Sequence, residues 1–280
     1  MFYAVGAGPM GSKFGRILVR IVVGHSSIVT VRDEDSKEVL TKIGIKRDKV
    51  KVTADPSVDL APCCSERANH IMHTERIPTE KSIVAVCLRY WFYRGKRIST
   101  GIVEKRAFSK GRHSDKYYSF IEETARALDT IIERYDVNLL FIPFYYGRDD
   151  KIHDDIIRNL ENDERAHCIE GKYGPSEILG IMKNLQFVIG MRLHSLIFGA
   201  LAELPMVAIK YSQKVGSFMN MIHLQNFQLD LDDLTSEKIF HAFTYAWEEH
   251  DEIKHRIRKS LIPIRRIEKL NCEILFKLVD

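Results

Sequence analysis

The chain has 280 residues, 45% of them hydrophobic, enough for one large domain or two ordinary ones, each with its own core. Its 42 Lys and Arg stand against 38 Asp and Glu, a formal net charge of +4 with both signs interspersed, which argues against nucleic acid as a partner. Five cysteines without a C-x-x-C pair exclude a zinc knuckle and a disulfide framework; no apolar run reaches the roughly 18 residues of a membrane span, and no secretory leader is visible, so reduced thiols in the cytoplasm are expected.

In chain order, Phe2–Val5 reads as an apolar strand running into Gly6-Ala7-Gly8-Pro9, followed by a helix over Phe14–Val23. Ile28–Val31 is a second strand, Ser36–Ile43 a helix closed by Gly44, and Lys49–Thr53 a third strand before the turn Ala54-Asp55-Pro56. Residues 61–81 show no clear period and read as a linker. A new sheet starts at Ser82–Leu88, and Arg94–Ser114, rich in Arg, Lys, Gly and Ser, reads as a loop. Ser119–Tyr135 carries apolar residues at helical spacing. Strands are then expected at Val137–Pro143, His167–Ile169, Phe187–Ile189 and Met206–Ile209, alternating with helices at Lys151–Leu160, Ser176–Lys183, Leu193–Leu204 and Val215–Ile222; helices from Ser236 close the chain.

Alternating strands and helices point to an α/β fold with parallel sheets and crossover helices. The division is residues 1–60, a partial Rossmann-like domain; 61–81, a linker; 82–235, a nearly complete second Rossmann-like domain; and 236–280, C-terminal helices. Only three strands fit before residue 60, about half the usual number for a doubly wound domain, so the first domain is expected to lack its front part.

Chemistry is expected where parallel strands end, because ligands of open α/β sheets bind there. Gly190-Met191-Arg192-Leu193-His194-Ser195 follows a short apolar strand and opens a helix, so Arg192 and His194 fall in a first turn whose free N–H groups favour an anion. Arginine can grip a phosphate or carboxylate with two hydrogen bonds, and histidine can move protons near neutral pH. A capping histidine beside a salt-bridged arginine fits the same spacing. Lys214 follows the next strand and Arg32 ends a strand of the first domain; each is a candidate for neutralising an anion, or an ordinary surface cation. Asp33 or Asp35 suits a helix cap, and Asp55 precedes Pro56 in a turn. Gly6-Ala7-Gly8-Pro9-Met10-Gly11 matches a dinucleotide loop only superficially, and the histidines show no metal spacing. Arg256, Arg258, Lys259, Arg265, Arg266 and Lys269 form the densest basic region, a solvated helix face or a contact with an anionic lipid surface.

Taken together, Ala4–Pro9, Val31–Ser36, Thr53–Pro56, Gly190–Phe198 and Tyr211–Val215 resemble the polysaccharide pyruvyl transferase family in content, order and separation, over residues 2 to 225. The resemblance implies a GT-B-like pair of Rossmann-like domains, phosphoenolpyruvate as donor, a glycan or lipid-linked glycan as acceptor, and a pyruvate ketal of a cell-surface polysaccharide sugar as product. It implies His194 as general acid and base, Arg192 and Lys214 on the donor's phosphate or carboxylate, Arg32 reaching across from the first domain, and neither metal nor organic cofactor. The expected setting is the cytoplasm, at the inner face of the membrane where the acceptor is lipid-carried. The family's glycine- and asparagine-rich loop after an early strand has no match here, so acceptor-binding residues are expected to be missing. A GT-B glycosyltransferase using a nucleotide sugar, and a catalytically silent glycan-binding remnant, are the alternatives.

Overall fold

In a computed structural model, residues 1–8, 10–90 and 112–279 are described. The N-terminal lobe is built on a parallel three-stranded sheet: β1 (Phe2–Val5), α1 (Lys13–Gly24), β2 (Val29–Val31), α2 (Glu34–Lys42) and β3 (Val50–Val52), with strand order β1-β2-β3. Val29, Val31, Leu40, Ile45 and Val50 form its core. Ser12 caps α1 by accepting from the Gly15 N–H, and Asp33 caps α2 by accepting from the Ser36 N–H.

A short 3₁₀ turn at Pro56–Asp59 leads to α3 (Ser65–Thr74). The stretch expected to be an irregular linker therefore carries a helix. Ala68, Ile71 and Met72 are buried at i, i+3 and i+4, and a Cβ on Gly180 would collide with the Cys63 sulfur, so the segment packs closely on the larger lobe.

The larger lobe holds β4 (Ile83–Cys87), α4 (Arg112–Tyr135), β5 (Asn138–Phe141), α5 (Asp149–Ile157), β6 (Ala166–Cys168), α6 (Pro175–Met182), β7 (Phe187–Gly190), α7 (Leu193–Leu201), β8 (Met206–Lys210), α8 (Gln213–Met221) and β9 (Gln228–Asp230). The six strands are all parallel, in the order β6-β5-β4-β7-β8-β9. β4, β5 and β7 are buried throughout, as a parallel sheet covered on both faces requires. The expected helix at Ser119–Tyr135 begins earlier, at Arg112. The loop expected at Arg94–Ser114 lies outside the described residues except for its last three, which open α4. The edge strand β9 carries only one apolar residue, and no pattern in the sequence marks it.

Two helices finish the chain, α9 (Ser236–Glu248) and α10 (His250–Val279). Phe243 and Trp247 of α9 stack on each other and pack at a tilt against Phe187 of β7, fixing α9 to the larger lobe. α10 buries Ile253, Ile257 and Leu261 first; past Pro263 it reaches the N-terminal lobe, where Asn271 accepts from the Thr53 hydroxyl at 2.9 Å and donates to the Ala54 carbonyl at 3.3 Å. Much of the C-terminal basic run is engaged: Arg256 pairs with Glu252, Arg258 with Glu203, and Arg265 donates to the Val58 carbonyl. Among the described residues no helix is long and apolar enough to cross a membrane, and no group of three or more His, Cys, Asp or Glu could hold a metal ion.

Candidate active site between the lobes

The residues that follow β2 and β3 face those that follow β7 and β8 across a narrow crevice lined by Arg32, Asp55, Leu193, Lys214, Phe218 and Ile264. Arg32 leaves the end of β2, and its guanidinium lies against Gly6, where a Cβ would come within 2.6 Å of it. That close approach explains a glycine directly after β1 without a dinucleotide. Arg32 Nη1 donates to Asp55 Oδ2 at 2.9 Å, and Arg32 Nε lies 3.6 Å from Asp33 Oδ2. Asp55 also accepts from the backbone N–H and hydroxyl of Ser57. Burial works against its charge, but the Ser57 hydrogen bonds, the His194 ring and Arg32 together hold its carboxyl below the usual range. Asp35, on the next helix, accepts from the Ser217 hydroxyl of α8 and ties the lobes beside the crevice.

His194 comes from the first turn of α7, with half of its side chain open to the cleft (54%) and Nε2 at 3.9 Å from Asp55 Oδ2. Partial desolvation pushes its pKa down; Asp55 pulls it up, while Arg32, Lys214 and Arg192 push it further down. The net direction is down, so the imidazole of the empty site is neutral near pH 7. The helix is held close to its strand: a Cβ on Gly190 would lie 2.6 Å from Leu196 Cδ2.

Arg192 lies one residue before α7, and its guanidinium is committed. Nε donates to Asp149 Oδ2 at 2.9 Å and the second contact, from Nη2, reaches Oδ1. Asp149 is fully buried and also accepts from the Tyr145 N–H at 2.9 Å. Burial pushes the Asp149 carboxyl up, against the pull of Arg192. Of the two arrangements the sequence allows for Arg192, its side chain makes the ion pair.

Lys214, in the first turn of α8, lines the crevice opposite Arg32 and lies 5.8 Å from the centre of the Tyr211 ring. Arg89 covers the same ring at 4.3 Å. Burial raises the Tyr211 phenol, but the charges of Arg89 and Lys214 outweigh it and lower its pKa. Arg89 sits two residues beyond β4, the inner strand next to β7, and its Nε is buried with no hydrogen-bond partner among the described residues. Arg89 is not among the candidates named from the sequence, although an arginine directly after the apolar run 82–88 carries the same signal as Arg32 after 28–31. Asp149 and Tyr211 are not among them either. Asp149 belongs to no recognisable motif, and Tyr211 reads as part of the turn after a strand.

The fold thus brings Arg32, His194 and Lys214 to one cleft, with Arg89 and Tyr211 beside them and Arg192 held behind by Asp149. The same two-lobed architecture occurs in a glycosyltransferase from Rickettsia africae, with TM-score 0.61 and 14% identity, covering 99% of this chain and 69% of that one. A UDP-GlcNAc 2-epimerase from Neisseria meningitidis bound to UDP-GlcNAc matches with TM-score 0.62 and 13% identity over 98% of this chain and 69% of that one. HepE from Anabaena in complex with UDP and glucose matches with TM-score 0.58 and 13% identity over 94% of this chain and 66% of that one. The chain spans about two thirds of the length of these structures, and at such identities the likeness establishes the fold, a GT-B-like pair of Rossmann-like domains. The family described as polysaccharide pyruvyl transferase matches residues 1–213, which include Arg32, Asp55, Arg89 and the segment from Gly190 to His194, and the chain therefore belongs to the polysaccharide pyruvyl transferase family.

Proposed function

We propose that the cleft transfers the pyruvyl group of phosphoenolpyruvate to two hydroxyls of a polysaccharide sugar, forming a pyruvate ketal. The observation that carries this reading is the convergence of Arg32 and Lys214 on a half-open histidine, His194, at the strand ends, with Arg89 beside Lys214 on the Tyr211 ring. A donor with a phosphate and a carboxylate needs cations at two places, and Arg89 offers a buried Nε without a partner while Lys214 offers a flexible charge. Arg192, held by Asp149, would present its remaining donor edge and the positive end of α7.

The chemistry balances without a redox partner. Proton transfer to the donor's methylene carbon makes a methyl group and an oxocarbenium-like C2. A sugar hydroxyl attacks C2, forming a C–O bond and losing its proton. The bond between C2 and the phosphate oxygen then breaks, with the electron pair leaving on phosphate, and the second hydroxyl attacks the renewed cation and loses its proton. One hydroxyl proton replaces the one delivered to the methyl group, and the other leaves with phosphate. His194, neutral in the empty site, would take up a proton as the anionic donor arrives, deliver it to the methylene, and accept it back from the attacking hydroxyl. The cations would stabilise the departing phosphate. A cytoplasmic setting with a lipid-linked acceptor at the inner face of the membrane fits this reading.

Donor binding tests it without an acceptor. Phosphoenolpyruvate is expected to raise the melting temperature and to bind in calorimetry, with Arg89→Met and Lys214→Met each weakening it roughly tenfold to a hundredfold. Supplied with a glycan bearing a free diol, the chain should release inorganic phosphate. Binding and cleavage of a UDP-sugar, with phosphoenolpyruvate ignored, would replace this reading with glycosyl transfer, the activity named for the Rickettsia africae neighbour.

A further inference from the structure

A groove of about 550 Å³ opens where α7 ends. Lys183 and Glu203, which follow α6 and α7, form one wall, and Arg258, Ile262, Arg265 and Arg266 of α10 form the other. The four α10 residues recur at i, i+4, i+7 and i+8, one face of the helix. The buried Leu201 and Leu261 also line the groove, and none of its lining comes from the N-terminal lobe. Helix α7 starts at the cleft with His194 and ends at Leu201, so at 1.5 Å per residue the groove lies roughly 10 Å further along that helix, away from the cleft.

Charge selects the ligand. Lys183, Arg258, Arg265, Arg266 and Lys269 line the groove, and Glu203 is the one acid among the lining residues. Glu203 Oε2 accepts from Arg258 Nε at 2.6 Å, and Arg265 Nε lies 4.0 Å from Asp59 Oδ1. The C-terminal ends of α6 and α7 add a negative charge of about one half each, which a single cation would balance. Five cations exceed all of these by about two charges. The excess rests on Lys183, Arg266 and Lys269, whose side chains make no ion pair or hydrogen bond among the described residues. A solvated face of α10 calls for no cation on the opposite wall, yet Lys183 supplies one from a separate element. Ile262, 58% exposed, lies among these charges and gives the groove an apolar surface as well.

We propose that this groove binds a phosphate ester, with Lys183, Arg266 and Lys269 on the phosphate and the organic part lying on Ile262. An excess of about two positive charges matches the dianion of a phosphate monoester, and a guanidinium such as that of Arg266 can meet two of its oxygens. A bare phosphate would leave most of the volume unfilled and Ile262 wet, whereas a groove of this size suits a small organic molecule. A lipid headgroup and a soluble phosphate ester share this chemistry, and two probes separate them. The site does not depend on what the cleft transfers.

Calorimetry on the full chain tests it with dihexanoyl phosphatidic acid below its micellar concentration as the lipid phosphate, glucose 1-phosphate as the soluble ester, and dihexanoyl phosphatidylcholine as a headgroup without net charge. At least one of the two monoesters is expected to bind and phosphatidylcholine is not; which monoester binds names the source. Replacing Lys183 and Arg266 together with Gln should weaken that binding roughly tenfold or more. The melting temperature should stay unchanged, because neither side chain has a partner to lose. Lys214→Met, a change in the cleft, should leave the affinity for the ester as it was. Failure of both monoesters to bind, equal binding by the double variant, equal affinity for phosphatidylcholine, or loss of binding in Lys214→Met would each overturn the proposal. Lys214→Met also reads donor binding in the cleft, so the two sites can fail independently.

Discussion

His194 and Asp55 stand 3.9 Å apart across the cleft, one from each lobe. Asp55 is itself held by Arg32 and Ser57, so a residue of the small lobe sets the electrostatic surroundings of a residue on the large one. The relationship makes the protonation of His194 a property of the closed pair of lobes rather than of α7 alone.

The first expectation concerns that protonation. Desolvation and three nearby cations lower the pKa of His194, and Asp55 opposes them. Asp55→Asn removes the opposing charge, so the imidazole should titrate at still lower pH; Arg32→Met removes a cation, so it should titrate higher. Proton NMR of the ring in the empty chain reads both. Donor binding near neutral pH should take up a proton, measurable by calorimetry in buffers of different ionisation enthalpy, and His194→Gln should abolish that uptake while leaving the fold intact. A histidine titrating above its ordinary range in the empty chain would remove the basis for this coupling.

Asp149→Asn addresses the ion pair behind the site. The carboxylate is fully buried and receives Arg192 through two nitrogens together with the Tyr145 N–H. Removing its charge leaves a largely covered guanidinium without a counterion, an expected loss of about 3–5 kcal/mol in urea unfolding. Arg192→Met should cost less, because the Asp149 carboxyl, already pushed up by burial, can be protonated. The sign follows from that rise: the deficit of Arg192→Met shrinks as pH falls through the raised value. A deficit for Arg192→Met that grows on acidification would contradict the assignment.

Asn271→Ala tests the return of α10 to the small lobe. The side chain serves the Thr53 hydroxyl and the Ala54 carbonyl in a buried site next to Asp55. Its loss takes the donor from the Ala54 carbonyl and leaves the Thr53 hydroxyl only the Val31 carbonyl, an expected cost of about 1–3 kcal/mol. Hydrogen exchange should quicken in β2 and β3 while β4, β5 and β7 keep their protection. Uniform quickening across both lobes would mean that the contact does not hold the small lobe in particular.

Much of the architecture is legible in the chain because parallel strands buried on both faces are short continuous apolar runs. Ile83–Cys87, Phe187–Gly190 and Met206–Lys210 announce themselves in this way, and strand-end logic then points to Arg32, Arg192, His194 and Lys214. The helix α3 is hidden because only three of its ten residues are buried, too few to impose a period on a polar segment. The strand β9 is hidden because an edge strand buries little. Arg89 obeys the same strand-end rule as Arg32 and lies within its reach. The partner of Arg192 does not: Asp149 is 43 residues away, and no local pattern relates the two.

The sequence by itself determined the alternation of strand and helix, the family, and which side chains stand at strand ends, since all of these depend on neighbours along the chain. Only the tertiary structure decided that Arg192 spends its guanidinium on Asp149, that Asp55 of the small lobe faces His194 of the large one, and that Lys183 shares a groove with Arg266. Those facts depend on which surfaces meet once the lobes pack, and a charge carries no mark along the chain of what will lie opposite it.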